Sequence, residues 1–264
     1  MWRRGVHIGA KRMGKDSRAE RQSPTERGPR MFVEGRLEPH AIVAFGAKQS
    51  HYLGRVMRLR EGGSLRVFNG KDGEWLATIG ELARRGGNLV VTSQLRHQAP
   101  TSHQIRLCVA PIRRSRFELI VEKAVELGVS SFLPIVTMHT VASLPDIHRL
   151  ARIAIEAAEQ SERLDVPVFE PAMPFEAYVG DESARNEQIL AAVERTTLSI
   201  ANIGRLKSPI DVLIGPEGGF ALSEVERLWG LDNTHIVSLG RAILRSETAA
   251  LVALSWLHIN MQPD

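Results

Sequence analysis

The sequence predicts an α/β protein preceded by a small β-barrel, and three observations predict it. Residues 31–98 break into short apolar runs separated by turn residues, with a single helix-period stretch among them. From Ile105 onward, apolar runs of strand length alternate with amphipathic segments of helical period, the pattern of a parallel sheet covered by helices on both faces. At 264 residues and roughly 150 residues per domain, the chain has room for two such units.

Taken in order, residues 41–45, 64–68, 74–79 and 88–95 read as strands. Asn69-Gly70-Lys71-Asp72-Gly73 reads as a hairpin turn, because Gly and Asn tolerate positive φ. Residues 47–59 place Tyr52, Leu53, Val56, Met57 and Leu59 at helical spacing. His51, Arg55 and Arg58 fall on another face of that helix, four and three residues apart. The barrel therefore spans residues 30–96 and carries one basic helix. A polar segment broken by Pro100 links it, over 97–104, to a second unit at 105–264.

In that second unit, residues 105–110, 129–136, 189–193, 212–214 and 235–239 are strand candidates, and 117–127, 150–160, 222–229 and 246–259 are helix candidates. Phe117, Ile120, Val121, Ala124 and Leu127 form one apolar stripe, and Gly128 stands where a left-handed C-terminal cap belongs. Ser223 and Glu226 have the spacing of a capping box at the start of 222–229.

Charge is distributed unevenly. Residues 1–30 carry nine Lys/Arg against three Asp/Glu, residues 31–98 carry ten against six, and residues 99–264 carry fifteen against twenty-one. The basic character thus sits in the first hundred residues, as for a molecule that meets a polyanion at one end, or as a solvated surface with a charged tail. Residues 1–29, rich in Arg, Gly, Ser and Pro, read as a disordered basic tail, or as an over-long start with the natural one near Met31. No run approaches the roughly 18 apolar residues of a membrane span. The single cysteine, Cys108, excludes an intramolecular disulfide and a multi-thiolate metal site. It falls in an apolar strand, where a structural role is expected, and the compartment expected is a reducing cytoplasm.

Ligands of open α/β sheets sit beyond the carboxyl ends of the strands, and two strand exits here carry unusual chemistry. One is Gly215-Pro216-Glu217-Gly218-Gly219-Phe220, whose glycines let backbone approach a ligand. The other is Leu239-Gly240-Arg241-Ala242-Ile243-Leu244-Arg245, which leads into the terminal helix at Ser246-Glu247-Thr248. The first N–H groups of a helix have no partner within it. A dinucleotide-type G-x-G-x-x-G after the first strand and a Walker A loop are both absent.

These residues carry a resemblance. Leu213 to Phe220, followed by Leu239-Gly240 and Ile243-Leu244-Arg245-Ser246-Glu247-Thr248-Ala249-Ala250, closely resembles the RsmE-type family of small-subunit (16S) ribosomal RNA uridine-N3 methyltransferases of the SPOUT class. The likeness extends upstream through Phe117 to Val129, through Ile153 to Ser161 with its Glu159-Gln160, and through His51-Tyr52-Leu53 with Arg55 to Arg60. It covers about Arg30 to Leu257. What it implies is a SPOUT domain with a C-terminal trefoil knot, preceded by a small PUA-like barrel, acting as a homodimer on 16S rRNA, within the small ribosomal subunit, with S-adenosylmethionine as cofactor and no metal.

By motif match the cofactor positions would be Val193, Glu194, Gly215, Glu217, Gly218, Leu239, Gly240, Ile243, Leu244 and Arg245. Uracil N3 attacks well only without its proton, so a proton acceptor or an anion stabiliser is needed. Arg245 is the candidate stabiliser and Glu217 the candidate base. The bland alternatives are a salt bridge from Arg245 to Glu247 or Glu217, and a loop-holding role for Glu217. Arg30, His51, Arg55, Arg58 and Arg60 would meet RNA phosphates. Arg113, Arg114 and Arg116, in the loop before Phe117, would reach RNA near the site or else form a solvated loop.

The chain departs from the family pattern at Arg241-Ala242, where Pro-Arg is usual, and at Met138-His139, where Glu-Arg is common; residues 139–148 also look short. Two other functions stay open at this stage. One is an RNA-binding protein that kept the fold without catalysis. The other is a SPOUT enzyme with another target atom, such as a ribose 2′-hydroxyl.

Overall fold

The computed structural model describes residues 28–99, 104–186 and 188–261. The basic tail expected over 1–29, apart from its last two residues, and residues 100–103 of the expected linker lie outside the described residues.

The first unit is a five-stranded sheet of β1 (Arg30–Phe32), β2 (Ile42–Gly46), β3 (Ser64–Phe68), β4 (Glu74–Ala83) and β5 (Gly86–Arg96), in the order β1-β3-β4-β5-β2. β1 runs parallel to β3, and the other pairs are antiparallel. Three register shifts along β4–β5 add bend and twist, so the sheet wraps one core. Val33, Val43, Leu65, Ala77, Leu89 and Val91 from all parts of the sheet meet in that core with Leu53. The hairpin turn stands as expected: Asn69 Oδ1 accepts from the N–H groups of Lys71 and Asp72, and Gly73 sits at φ +81°. A Cβ on Gly73 would lie 2.2 Å from the Arg96 carbonyl oxygen, so only glycine fits.

The helix expected over 47–59 is shorter and mixed. α1 (Ala47–His51) passes into a π-turn at Tyr52–Val56, and Arg58 adopts φ +56°. The wider i→i+5 turn changes the phase of the helix. Leu53 is buried as the spacing predicts, but Val56 is turned out and 58% exposed.

The second unit is an all-parallel sheet of β6 (Ile105–Val109), β7 (Ser131–Val136), β8 (Val168–Phe169), β10 (Gln188–Ala192), β11 (Ile210–Ile214) and β12 (Thr234–Val237), ordered β12-β10-β11-β6-β7-β8; β9 (Met173–Pro174) pairs with the end of β7. Strand side chains alternate between faces. Leu107, Val109, Val212 and Ile214 accordingly pack under α2 (Arg114–Glu126), α3 (Ile147–Gln160) and α6 (Ser246–Asn260). Cys108, Leu133, Leu213 and Ala191 pack under α4 (Phe175–Gly180) and α5 (Leu222–Trp229). Gly128 takes φ +91° after α2, as its position predicts. After β12 the chain returns past β10 to set α6 against β11 and α2. That path fits the trefoil knot the resemblance implies.

One cap is corrected. α5 does begin at Leu222, but the reciprocal bond is between Ala221 N–H and the Glu224 carboxylate, 2.8 Å, rather than between Ser223 and Glu226.

The two units meet at the C-terminal end of α3. Arg30 pairs with Glu74 at 2.5 Å, donates to the carbonyls of Ala158 and Arg163, and lies 3.6 Å over the Phe68 ring. Arg96 donates to Glu74 and to the Glu162 carbonyl, and Arg66 reaches the Glu162 carboxylate. Cations are favoured at helix C-termini, where carbonyls lack partners. Glu159, on the last turn of α3, accepts the Phe32 N–H at 2.8 Å.

Candidate functional site

Strands β12, β10 and β11 lie side by side, and their carboxyl ends are in register: Ala192 stands beside both Val237 and Ile214. Three loops therefore leave the sheet together. Between the exits of β10 and β12 is a cavity of about 530 Å³, lined by Val193, Glu194, Leu239, Gly240, Ile243 and Leu244. Between the exits of β10 and β11 is one of about 460 Å³, lined by Val193, Glu194, Gly215, Gly218, Phe220 and Leu244. Both fall in the roughly 300–1,000 Å³ range of small-molecule sites. Their shared wall is Ala192, Val193, Glu194, Arg195, Leu244 and Ala249.

Eight of the ten sequence-predicted cofactor positions thus line this pair of cavities; Glu217 and Arg245 stand at their margin and line neither. The glycines have separate reasons. A Cβ on buried Gly215 would press on the Phe220 ring at 3.0–3.3 Å. Gly219 and Gly240 have φ +67° and +147°, backbone that favours glycine. Leu239 and Leu244 supply apolar wall, and residues 241–244 belong to neither strand nor helix. Such a set, apolar walls plus free-standing backbone beside glycines, suits an adenine ring with polar edges. The residues present therefore fit S-adenosylmethionine.

Arg245 is the N-cap residue of α6, exposed, and makes no ion pair among the described residues. The salt bridges that its neighbours offered are taken by another cation. Arg116 Nη1 stands 3.6 Å from Glu217 Oε1, and Arg116 Nε stands 3.5 Å from Glu247 Oε1. Glu247 Oε2 is buried with no hydrogen-bond partner.

A fourth strand exit, where Met138-His139 departs from the family pattern, touches the glycine-rich loop. His139, beyond β7, places Nδ1 at 3.0 Å from the Gly218 carbonyl oxygen and 3.2 Å from that of Gly219. Met138 N–H donates to Glu224 at 2.7 Å. His139 and Gly218 are 79 residues apart, and no local pattern signals the contact.

The expected RNA positions divide. His51, Arg55, Arg58 and Arg60 are exposed, and the three arginines make no ion pair among the described residues. Arg30 is corrected: it is only 5% exposed, and the seam consumes its guanidinium, so it cannot meet a phosphate. Of the other three, Arg113 is exposed and unpaired among the described residues, Arg114 pairs with Glu118 at 2.8 Å, and Arg116 is the clasp between Glu217 and Glu247.

Elsewhere the buried polar groups are structural. Asp211, fully buried near the start of β11, accepts from Arg106, Tyr178 and Asn186. Burial pushes the Cys108 thiol well above its ordinary value, against a nucleophilic role. Among the described residues, no helix is long and apolar enough to cross a membrane, and no group of His, Cys, Asp and Glu could hold a metal ion.

Comparison with known proteins follows the same division. Residues 99–258 match the RNA methyltransferase domain family, and residues 45–91 match the RNA methyltransferase PUA domain family. The ribosomal RNA small subunit methyltransferase E of Rickettsia conorii is 32% identical over 237 residues, 87% of this chain and 95% of that protein. Its counterpart in Synechocystis is 34% identical over 226 residues, 83% of this chain and 73% of that protein. Among solved structures, a Legionella pneumophila protein in complex with S-adenosylmethionine superposes with a TM-score of 0.79 at 26% identity, covering 88% of this chain and 98% of that one.

Proposed function

The chain belongs to the ribosomal RNA small subunit methyltransferase E family, and from that premise we propose that it methylates N3 of a specific uridine in 16S rRNA. It is an S-adenosylmethionine-dependent rRNA methyltransferase of SPOUT fold with a PUA-like RNA-binding domain. The observation that carries the finer reading is the convergence of three strand exits on two adjoining cavities, with an arginine at their margin that has no ion pair among the described residues.

S-adenosylmethionine, when bound, supplies a methyl group already activated on a sulfonium. The work left to the chain is orientation, which in well-aligned systems lowers barriers by roughly 7–11 kcal/mol, and management of the uracil N3 proton. Leu239, Leu244 and the backbone at Gly215 and Gly240 would hold the adenine, supplying apolar wall and polar edge contacts. Arg245, free of carboxylates among the described residues, stabilises the uracil anion. Glu217, held only loosely by Arg116 at 3.6 Å, accepts the N3 proton. Arg55, Arg58, Arg60 and Arg113 hold phosphates, a contact that positions RNA without reading it. The working form is a homodimer acting in the cytoplasm on the small ribosomal subunit.

The experiment is methyl transfer from labelled S-adenosylmethionine to small subunits from a strain lacking the modification, with the product nucleoside identified by mass spectrometry. N3-methyluridine is expected from the wild type. Cofactor binding without transfer to the subunit would leave an RNA-binding protein, and a 2′-O-methylated product would replace the N3 assignment.

A further inference from the structure

The glycine-rich loop has a problem of its own making. Gly218 and Gly219 bring no side chain, Gly219 sits at φ +67°, and both are 79 or more residues from the segment that touches them. Glycine loses more conformational freedom on ordering than any other residue, so a loop built this way needs an outside pin to hold one shape around a ligand. Within the loop a single backbone bond helps, Gly219 N–H to the Pro216 carbonyl at 2.9 Å.

The outside pin comes from β7, although β6 lies between β7 and β11 in the sheet. Residues 137–140 form a turn braced on itself: Thr140 Oγ1 accepts from Thr137 N–H, and Thr140 N–H donates to the Thr137 carbonyl. Met138 N–H from this turn binds Glu224 Oε1, while Glu224 Oε2 holds the Ala221 N–H just past the loop. His139 then takes the carbonyls of both Gly218 and Gly219 with one ring nitrogen. Carbonyl oxygens only accept, so Nδ1 carries the hydrogen. The fit is close: a Cβ on Gly218 would stand 3.2 Å from the His139 Cβ. His139 lines neither cavity.

We propose that His139 is a positioning residue for cofactor binding, which fixes the Gly218–Gly219 peptide planes so that the loop presents a preformed wall to S-adenosylmethionine. The inference rests on the cofactor assignment above. It acts through pre-organisation: the loop is ordered before the ligand arrives, and binding is spared that entropy.

The test compares His139→Ala, His139→Asn and His139→Gln in the full chain, with S-adenosylmethionine titrated by calorimetry and steady-state kinetics run on small subunits. An Asn amide places its nitrogen where Nδ1 stands, whereas a Gln amide reaches the Nε2 position. Asn should therefore keep the dissociation constant within about twofold, while Ala and Gln raise it about tenfold, the net size of one hydrogen bond. KM for the cofactor should follow, with kcat at saturation little changed. Ala binding as tightly as the wild type, or Asn binding as weakly as Ala, overturns the proposal. A wild-type chain that binds no S-adenosylmethionine would instead remove the cofactor assignment itself.

Discussion

Arg30 and Glu74, both in the first unit, form an ion pair at 2.5 Å with side chains 3% and 2% exposed, at the seam with the second unit. The pair is not isolated, because Arg96 completes the carboxylate and two carbonyls at the end of α3 complete the guanidinium. Removing one partner of a buried pair leaves the other uncompensated and typically costs about 3–5 kcal/mol. Arg30→Ala should fall at the lower end, since Arg96 still faces Glu74. Denaturant unfolding of the full chain checks this, and a loss under about 1 kcal/mol would contradict it.

The same seam gives two pH dependences of opposite sign. Burial alone would raise Glu74, but hydrogen bonds from Arg96 and Arg30 outweigh it and hold the carboxyl below its ordinary value. Its stabilising contribution is present above the unfolded carboxylate range and is lost as pH falls through the lower, folded value. Glu159 runs the other way: burial raises it, and the Phe32 N–H only partly offsets that. Folding then favours its protonated form, so its contribution weakens as pH rises through the unfolded and then the folded value. Glu159→Gln keeps an acceptor for Phe32 and drops the buried charge. At pH 7 it should be as stable as the wild type or more so, whereas Glu159→Ala should lose about 1–3 kcal/mol from the orphaned N–H. Thermal melts from pH 4 to 8 separate the two.

How much of this could be read in the sequence depends on how local its cause is. The parallel strands are legible because burial on both faces makes continuous apolar runs, as in Val212–Ile214 of β11. The loop at 215–220 and the left-handed Gly128 are legible because backbone conformation selects glycine. Arg30 is not, since the carbonyls that bury it lie 128 and 133 residues away. A basic residue before a barrel looks the same on paper whether it meets a phosphate or a helix end. The π-turn at Tyr52–Val56 is hidden for a different reason, because its residues satisfy a helical period that the backbone then departs from.

If Arg55, Arg58 and Arg60 hold phosphates, each releases counterions on binding. Replacing any one by Ala should lower the salt slope of RNA affinity by about one, with S-adenosylmethionine affinity unchanged. Arg30→Ala should leave that slope alone while lowering stability. Filter binding of small-subunit RNA from 50 to 300 mM salt reads both, and an unchanged slope in the triple variant would remove this face from the RNA surface.

Arg245 and Glu217 make separable claims about the chemical step. Arg245 lines neither cavity and has no carboxylate partner among the described residues, so its removal should spare cofactor affinity and act on the developing anion. Loss of one such donor typically lowers kcat about 10²–10³-fold. Arg245→Lys, which keeps the charge but not the planar fork, should recover part of it. Glu217→Gln removes a proton acceptor, with an expected loss of about 10²–10⁴-fold. Higher pH, which ionises uracil N3 without help, should restore Glu217→Gln more than Arg245→Ala. Single-turnover rates at pH 7 and 9 decide it: equal recovery in the two variants would mean that Glu217 holds the loop through Arg116 and takes no proton.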